Sequence, residues 1–306
     1  MREQLLGYAL AGIGAALFSS KAIFIKLAYL ERADAGLMLA ARMAFSIPFF
    51  IVIGVYALAA RQRAGRTSPS AKTVLLAAVN GFIGYYIASY LDFAGLIFVT
   101  AQLERLVLFT YPIFVMLLGW LFFQGRLTSS GILAAAITYG GLMVVFSTGL
   151  TANSYNTLVG TILVLGAALT FALYQLLAKN LIAELGSTLF TSIGMTAASC
   201  AALTQYGVTH QAFVPAVSSH YLWLAFLTAI FATVVPSFLI NAGLGRIGPQ
   251  ATSMVSTISP LVTIILAVIF LGEAFTLIDA LGTALIIAGI GYYTWADTRT
   301  ARKVSV

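Results

Sequence analysis

Long apolar stretches follow one another along almost the whole chain, and they constrain its fold more than any other feature. Only 8% of the 306 residues are charged, whereas 61% are hydrophobic. A water-soluble globule could not bury so much apolar surface, so the expected solvent is a lipid bilayer. A helix that spans a bilayer needs roughly 20 apolar residues. Ten such stretches are predicted as transmembrane helices, at residues 5–28, 34–60, 72–92, 99–123, 130–149, 157–178, 188–208, 221–244, 248–271 and 276–296.

The distribution of basic residues predicts how these spans are oriented. With ten spans, both termini and every second loop lie on one side of the membrane. Only Arg32 and Lys26 belong to the opposite side, so the positive-inside rule places both termini in the cytoplasm of a bacterial inner membrane. The net charge of +7 then reflects loop topology, and no nucleic-acid partner is expected. The cytoplasmic set is Arg2, Arg61, Arg63, Arg66, Lys72, Arg126, Lys179, Arg246, Arg299, Arg302 and Lys303.

One segment of the sequence has a second copy 148 residues downstream. A shift of Phe93–Met143 by that offset, without a gap, places Ala94–Leu96 on Ala242–Leu244 and Pro112 on Pro260. Each half would contain five spans, an odd number, so the two halves would cross the membrane in opposite directions. The sequence therefore predicts one structural unit used twice.

The expected fold class is an all-α integral membrane protein with ten transmembrane helices in two inverted five-helix repeats. The first repeat would cover residues 1–150 and the second residues 157–296, with Thr151–Asn156 as the link and 297–306 as a cytoplasmic tail. Duplicated halves in a membrane protein suggest a transporter with its substrate site between them, near the bilayer midplane.

Motifs at equivalent positions of the two halves resemble those of the EamA-type transporters of the drug/metabolite transporter superfamily. The second half has Ser259-Pro260 followed by Phe270–Glu273, and the first has Tyr111-Pro112 followed by Phe122–Arg126. The first half departs from the family pattern, because Gly125-Arg126 stands where Gly-Glu is frequent. The resemblance covers nearly the whole chain. It implies ten helices in two inverted repeats and export of amino acids and related metabolites, with the aromatic amino-acid exporters as a candidate branch.

Five charged residues fall within the early spans: Lys21, Arg42, Asp92, Glu104 and Arg105. A charge at the centre of a transmembrane helix costs about 2.5 to 3.5 kcal/mol on an insertion scale, so such groups should face a cavity or a partner. The three cations are predicted to meet a substrate carboxylate. Glu104 or Asp92 is predicted to pair with an ammonium group or to take part in proton coupling. The alternative is that the five side chains form salt bridges with one another and only lock the helices.

Uncharged polar residues complete the predicted binding site. Tyr85 or Tyr86 on the third span belongs to an aromatic, hydroxylated face that suits an amphipathic solute. The alternative is packing, or hydrogen bonding between helices without contact to substrate. The candidates in the second half are Tyr174, Gln175, Asn241 and Ser256.

Three prolines within the predicted spans remove backbone donors and can kink them. Pro112, Pro236 and Pro260 are therefore predicted as hinges for rocking between outward-open and inward-open states. The alternative is that each kink only shapes the cavity. No cofactor or metal is expected, because Cys200 is the single cysteine and both histidines, His210 and His220, fall in or beside one loop.

Three classes of membrane protein can be compared with this pattern. An intramembrane enzyme would need a nucleophile and a base at depth, and an ATP-driven pump would need a phosphate-binding Gly-Lys-Ser/Thr motif, which the sequence lacks. We therefore expect a secondary transporter, not an enzyme, that exports small amino acids or related metabolites by alternating access. The alternatives are a polyspecific drug or cation exporter that uses Glu104, or a flippase for a lipid-linked sugar. The expected partners are a small-molecule substrate and membrane lipid, with the protein a monomer or a weak dimer.

Overall fold

The described part of the chain is helical, and it contains no β-strand. In this computed structural model the described residues are 2–123, 129–210, 217–256 and 258–304, of which 2, 146–154, 179, 244–245, 248–254, 293–294 and 296–304 are described by their backbone alone. The helices are α1 (Arg2–Ser19), α2 (Lys21–Tyr29), α3 (Ala35–Arg63), α4 (Ala71–Gly81), α5 (Ala88–Phe98), α6 (Ala101–Leu108), α7 (Tyr111–Phe122), α8 (Ser129–Leu185), α9 (Ser187–Thr209), α10 (Ser219–Ala229), α11 (Val235–Ser256), α12 (Ile258–Leu266) and α13 (Leu277–Val304). Three π-helical segments extend α4, α10 and α12, at Phe82–Ile87, Ile230–Val234 and Ala267–Leu271.

Several of these helices are long and apolar enough to cross a membrane. Large apolar side chains also point outward, including Val52 and Ile269, each 67% exposed. Such an exterior is stable in contact with lipid tails. The prediction of an all-helical, multi-pass membrane protein is therefore confirmed. Within the described residues, six helical spans are both long enough and apolar enough to cross a membrane: Glu3–Tyr29, Ala35–Arg63, Ala71–Phe98, Ala101–Phe122, Tyr155–Ala178 and Ser219–Gly243.

Polar residues at helix N-termini fix where four of the helices begin. The first residues of a helix have backbone N–H groups without a partner inside the helix, and a side-chain oxygen can accept from one of them. Asp34 accepts from the Leu37 amide at 2.9 Å before α3, and Thr100 accepts from the Leu103 amide at 3.2 Å before α6. Ser70 and Ser218 cap α4 and α10 in the same way.

The start of α6 has a second cap, which comes from the other half of the chain. Glu273 accepts hydrogen bonds from the Ala101 amide at 2.7 Å and the Gln102 amide at 3.2 Å. Gly272, directly before it, has a left-handed backbone with φ of 64°. Glycine adopts that conformation without a steric penalty. The Leu-Gly-Glu motif therefore turns the chain so that its carboxylate reaches the N-terminus of α6.

α8 reverses direction along its length, although its hydrogen bonding is helical throughout. The Tyr139 ring lies 6.3 Å from the Phe114 ring, and the Phe171 ring lies 5.2 Å from the Tyr111 ring. Tyr111 and Phe114 are less than one helical turn apart on α7. On a straight helix Tyr139 and Phe171 would be about 48 Å apart. The chain must therefore turn back between residues 139 and 171.

Thr151–Asn156, the predicted link between the halves, is helical. It contains neither glycine nor proline, so no residue in it requires the chain to leave helical backbone dihedrals. The chain still changes direction between residues 139 and 171, the interval that contains this stretch. α11 behaves similarly: Gly14 of α1 faces Ile240, and Gly12 faces Val255. On a straight helix those two partners would be about 22 Å apart.

Glycines allow helices from different halves to approach closely. A Cβ added at Gly95 of α5 would lie 2.9 Å from the Gly160 carbonyl oxygen of α8. A Cβ added at Gly243 of α11 would lie 3.0 Å from the Gly7 carbonyl oxygen of α1. Gly243 lies 148 residues after Gly95, and Gly160 lies 153 residues after Gly7. The same kind of contact is therefore made twice, and residues that one half contributes to the first contact correspond to residues that the other half contributes to the second.

α8 and α13 also pack through a reciprocal pair of contacts. A Cβ at Gly141 would lie 2.7 Å from the Gly282 carbonyl oxygen, and a Cβ at Gly289 would lie 2.9 Å from the Ala134 carbonyl oxygen. Gly289 lies 148 residues after Gly141, and Gly282 lies 148 residues after Ala134. The 148-residue offset therefore relates the two contacts: Gly141 and Gly289 play the same part, and so do Ala134 and Gly282.

The three predicted hinge prolines differ in their helical surroundings. Pro112 is the second residue of α7, and Phe109 and Thr110 separate α6 from α7. A missing N–H is tolerated there, because the first amides of a helix have no intrahelical partner. Pro236 closely follows the π-helical segment Ile230–Val234, which joins α10 to α11 without leaving helical backbone dihedrals. Pro260 lies near the described start of α12, and the hinge role of all three prolines remains a prediction.

The contact between Gly81 and Gly194 provides a test of this packing. A Cβ at Gly81 would lie 2.2 Å from the Gly194 Cα, which is too close for α4 and α9 to remain where they are. We expect Gly81→Ala to lower stability by about 1 to 3 kcal/mol, measured by thermal unfolding in detergent. Gly140→Ala is the matched control, because no atom lies within 4 Å of its added Cβ. Equal unfolding temperatures for the two variants would contradict the close packing.

Candidate functional site

A cavity of about 640 Å³ lies among helices from both halves of the chain. Pockets for small molecules have volumes of about 300 to 1,000 Å³. Its walls include residues of α1, α3, α5 and α6 from the first half, and residues of α8, α11 and α12 from the second. One part of the wall carries charged side chains, another is aromatic, and a third carries hydroxyl and amide groups.

A buried ion cluster stands at the charged wall. Lys21 of α2 donates a hydrogen bond to Asp92 of α5, and its Nζ lies 3.2 Å from Oε1 of Glu104 on α6. All three side chains are at most 4% exposed. Breaking a buried ion pair by removing one partner is strongly destabilising. Lys21 therefore joins α2 to α5 and α6, two consecutive helices that lie far from α2 in sequence.

Arg42 of α3 is buried beside this cluster without an acidic partner. Only 3% of the residue is exposed, and its guanidinium carbon lies 4.7 Å from the centre of the Phe93 ring. Among the described residues, no carboxylate oxygen lies within 4.0 Å of the guanidinium. An aromatic face attracts a cation but does not neutralise it. The Arg42 charge is thus available to a ligand of the cavity.

Arg105 of α6 is held by the interruption between α1 and α2. Its Nη2 donates to the Phe18 carbonyl at 2.9 Å, and its Nε donates to the Thr263 hydroxyl at 3.1 Å. The Thr263 hydroxyl in turn donates to the Ser19 carbonyl at 3.0 Å. Carbonyls at the end of a helix lack an intrahelical donor, so these contacts satisfy the end of α1. They also hold the Arg105 side chain at the cavity.

Aromatic residues form another part of the cavity wall. The hydroxyls of Tyr85 and Tyr174 are hydrogen-bonded at 2.9 Å, and their ring centres are 4.9 Å apart. Phe171 stacks on Tyr174 with ring centres 5.6 Å apart, and Tyr111 meets Phe171 edge-on. Such a surface presents apolar faces with a few polar tips. It can accept the apolar part of an amphipathic molecule.

Most of the predicted site residues are brought together at this cavity. The four that carry charge and line it are Lys21, Arg42, Asp92 and Arg105. The uncharged ones are Tyr85, Tyr174, Gln175, Asn241 and Ser256. Asn241 already donates a hydrogen bond to the Thr191 hydroxyl. The contact of any of these residues with a substrate remains a prediction.

Two predicted residues do not line the cavity. The Tyr86 ring packs on Phe82, with ring centres 5.0 Å apart, and Phe82 is one of the outward-facing apolar residues. Successive residues on a helix point in different directions, so Tyr85 and Tyr86 cannot both face the same space. Glu104 is completely buried behind Lys21. Its expected contact with a substrate ammonium group is therefore not supported in this conformation.

The sequence analysis missed several residues of the cavity wall. Phe18, Tyr111 and Phe171 supply aromatic surface, and Thr233 and Ser237 supply hydroxyls. Phe171 precedes the predicted Tyr174 by three residues, so helical spacing could have identified it. Thr233 and Ser237 flank Pro236 and the end of a π-helical segment. The sequence of an apolar span does not reveal where a π-helical segment lies, so the inward direction of these two hydroxyls could not be predicted.

An all-helical, multi-pass protein that encloses a charged cavity has the architecture of a membrane transporter. The model of the EamA-like transporter family matches residues 5–147 and 158–295. The chain therefore belongs to the EamA-like transporter family.

Relatives with transporter names extend over most of the chain. "Uncharacterized transporter YcbK" of Bacillus subtilis (strain 168) is 29% identical over 315 residues, covering 99% of this chain and 97% of the relative. "Uncharacterized transporter YetK" of the same organism is 24% identical over 72% of this chain and 67% of its own length. A solved structure titled "Crystal structure of protein" has a TM-score of 0.63 at 17% identity, covering 96% of this chain and 98% of that one. The last comparison shows a shared fold.

The ion cluster predicts a clear order of stability among variants. Lys21→Met would leave Asp92 and Glu104 buried without their cation, and we expect a loss of about 3 to 5 kcal/mol. Replacing all three together, as Lys21→Met with Asp92→Asn and Glu104→Gln, should recover most of that loss. Thermal unfolding in detergent measures the order. Wild-type stability in Lys21→Met alone would show that the cluster does not hold the helices.

Proposed function

We propose that the protein is a secondary transporter that exports small amino acids, aromatic or other neutral ones, or related carboxylate-bearing metabolites by alternating access. The observation that carries this proposal is the buried Arg42 guanidinium at the cavity, with no carboxylate within 4.0 Å among the described residues. A buried charge without a partner is costly. A substrate carboxylate supplies the missing partner and forms charge-assisted hydrogen bonds with it.

Each part of the site has a proposed role. Arg42 and Arg105 bind the carboxylate, with Lys21 as a third cation that is shared with Asp92 and Glu104. The Tyr85–Tyr174 pair receives the apolar side chain, and the two acidic residues are the candidates for proton coupling. The polar wall orients the remaining groups of the substrate through Gln175, Asn241 and Ser256.

The proposal includes ten spans arranged as two inverted repeats. The reciprocal glycine contacts at Gly141 and Gly289 support it, because they exchange under the 148-residue offset. The π-helical segments Phe82–Ile87 and Ile230–Val234 begin at the same offset. Pro112, Pro236 and Pro260 serve as hinges between the rocking parts. The uneven distribution of basic loop residues favours cytoplasmic termini in a bacterial inner membrane.

The alternative functions fit the cavity less well. An exporter of lipophilic cations needs an uncompensated carboxylate facing its cavity. Glu104 does not line the cavity, and Asp92 binds Lys21. A flippase for a lipid-linked sugar needs room for a head group larger than one amino acid.

Transport by purified protein in proteoliposomes tests the proposal. Vesicles preloaded with unlabelled amino acids or related carboxylates should exchange an external labelled counterpart faster than protein-free vesicles. Arg42→Gln should lower this exchange about tenfold or more, because a hydrogen bond to a charged group contributes about 1.5 to 3 kcal/mol. Competition with a panel of unlabelled compounds would identify the preferred substrate.

Arg246→Gln is the matched control for Arg42→Gln. Arg246 is partly exposed near the middle of α11, does not line the cavity, and pairs with the exposed Glu3 at 3.3 Å. Its neutralisation should leave exchange unchanged. Exchange that is equally fast in Arg42→Gln, with normal unfolding temperature, would refute the carboxylate-binding role of Arg42.

A further inference from the structure

The charges around the cavity do not balance. Lys21, Arg42 and Arg105 bring three positive charges, whereas Asp92 and Glu104 bring two negative ones. With all five groups ionised, the buried set has a net charge of +1. A net charge away from water is strongly unfavourable until a counter-charge neutralises it. The cavity therefore favours entry of one negative charge.

Neither carboxylate is available to a second positive charge. Glu104 is fully buried behind Lys21, and Asp92 accepts the hydrogen bond of the same ammonium group. Asp92 is the only acidic residue among those that line the cavity in the described part of the chain. The ammonium group of an amino acid would meet hydroxyl and amide groups, which accept hydrogen bonds but do not neutralise its charge.

From this imbalance we infer that the cavity selects carboxylic acids that have an aromatic or apolar tail and no ammonium group, in preference to the zwitterion with the same skeleton. The inference rests on the proposed function, since it assigns the substrate class of the same site. The carboxylate neutralises the set at Arg42 and Arg105, and the tail packs on the aromatic wall formed by Tyr85, Tyr174 and Phe171. Selection arises from the missing negative charge, because the tail contacts are the same for both molecules.

A pair of matched probes tests the inference. 3-Phenylpropanoate and phenylalanine have the same ring and carboxylate, and they differ by the ammonium group. In proteoliposomes, 3-phenylpropanoate should inhibit exchange at a concentration about tenfold lower than phenylalanine, which corresponds to 1.4 kcal/mol. Equal inhibition, or stronger inhibition by phenylalanine, would overturn the inference while leaving carboxylate transport intact. If no amino acid or carboxylate of the panel were exchanged, the proposed function itself would be rejected.

A gain-of-charge variant makes the test independent of folding defects. Asn241→Asp adds a carboxylate to the cavity wall and should shift the preference toward phenylalanine. Asn241→Ser removes the amide without adding charge, and it serves as the matched control that measures the effect of losing the amide alone. A shift of the same size in both variants would contradict the role of charge.

A second, independent observation concerns two glutamates at opposite ends of α3. Glu31, just before α3, accepts hydrogen bonds from the Ser218 amide at 2.8 Å and the Ser218 hydroxyl at 2.5 Å. Glu184, near the other end, accepts from the Thr73 hydroxyl at 2.8 Å. Arg61, close to the end of α3, donates to the Glu184 carbonyl at 2.9 Å. Since α3 is long enough to span a membrane, the two glutamates lie at opposite faces of the helical assembly.

The two contacts occupy positions that the sequence repeat relates, although their donors differ. Ser218 caps α10 and lies 148 residues after Ser70, which caps α4 and hydrogen-bonds to Thr73, the donor to Glu184. Glu184 lies 153 residues after Glu31, the same offset that relates Gly160 to Gly7. Each contact joins a glutamate of one half to the start of a helix in the other half.

We propose that these two contacts are paired latches, one at each face, which open in turn during transport. Any motion that separates the halves at one face must break the latch at that face. Hydrogen bonds exposed to water contribute little net free energy, so each latch can be released by thermal motion. The latch at the opposite face keeps the other entrance closed during that step.

Labelling of the cavity from each side of the membrane tests the latches. The reporter is Ser89→Cys at the cavity wall, in a Cys200→Ser background, labelled with a membrane-impermeant maleimide in intact cells and in inverted vesicles. Glu31→Gln should increase labelling from one side, and Glu184→Gln should increase it from the other. Glu3→Gln is the matched control, since Glu3 pairs only with Arg246 at the surface in the described residues.

A cross-linked variant separates gating from a general loosening of the fold. Glu31→Cys with Ser218→Cys should form a disulfide that stops exchange, and a reducing agent should restore it. Increased labelling from both sides in each glutamine variant, or full exchange in the cross-linked one, would overturn the latch proposal.

Discussion

A single lysine held between two carboxylates is the constraint on which the interior of this protein depends. Lys21 reaches Asp92 and Glu104 from different helices, and none of the three side chains meets water to a significant extent. Charges in a bilayer must be compensated by neighbouring groups. The helices that carry them are therefore drawn together around a polar centre, and the cavity forms where the remaining cations, Arg42 and Arg105, face open space.

Close glycine contacts decide which helices surround that centre. α1 packs on α11 through Gly7 and Gly243, and α5 packs on α8 through Gly95 and Gly160. Both contacts connect the first half of the chain with the second. Helices associate in lipid chiefly through close van der Waals packing, because no hydrophobic force acts between them there. The seam between halves is thus well packed, and a site on it takes residues from both.

The sequence predicted the lipid surroundings, the all-helical class and most of the polar residues that line the cavity. An apolar chain has few charged residues, and only a few arrangements of its helices can bring each charge to a partner or a cavity. The sequence did not predict which of two adjacent tyrosines, Tyr85 or Tyr86, lines the cavity. Tyr85 and Tyr86 are indistinguishable by composition, and the choice depends on a π-helical segment that changes the helical phase. It also placed a linker at Thr151–Asn156, where the chain turns within helical hydrogen bonding. Such turns depend on packing between distant helices, and local residue types do not record them.

The acidic cap on α6 breaks the equivalence of the two halves. Glu273 binds the amides of Ala101 and Gln102, yet the matching stretch of the first half has Gly125-Arg126, and the residue 148 positions after Ala101 is Pro249. Neither glycine nor arginine has a carboxylate, and proline has no amide hydrogen. One copy of the unit has therefore lost both the acceptor and a donor of this bond. Effects measured for substitutions in one copy cannot be transferred to the matching positions of the other. The two copies keep the same spacing of helices, but they differ in the side chains that make equivalent contacts.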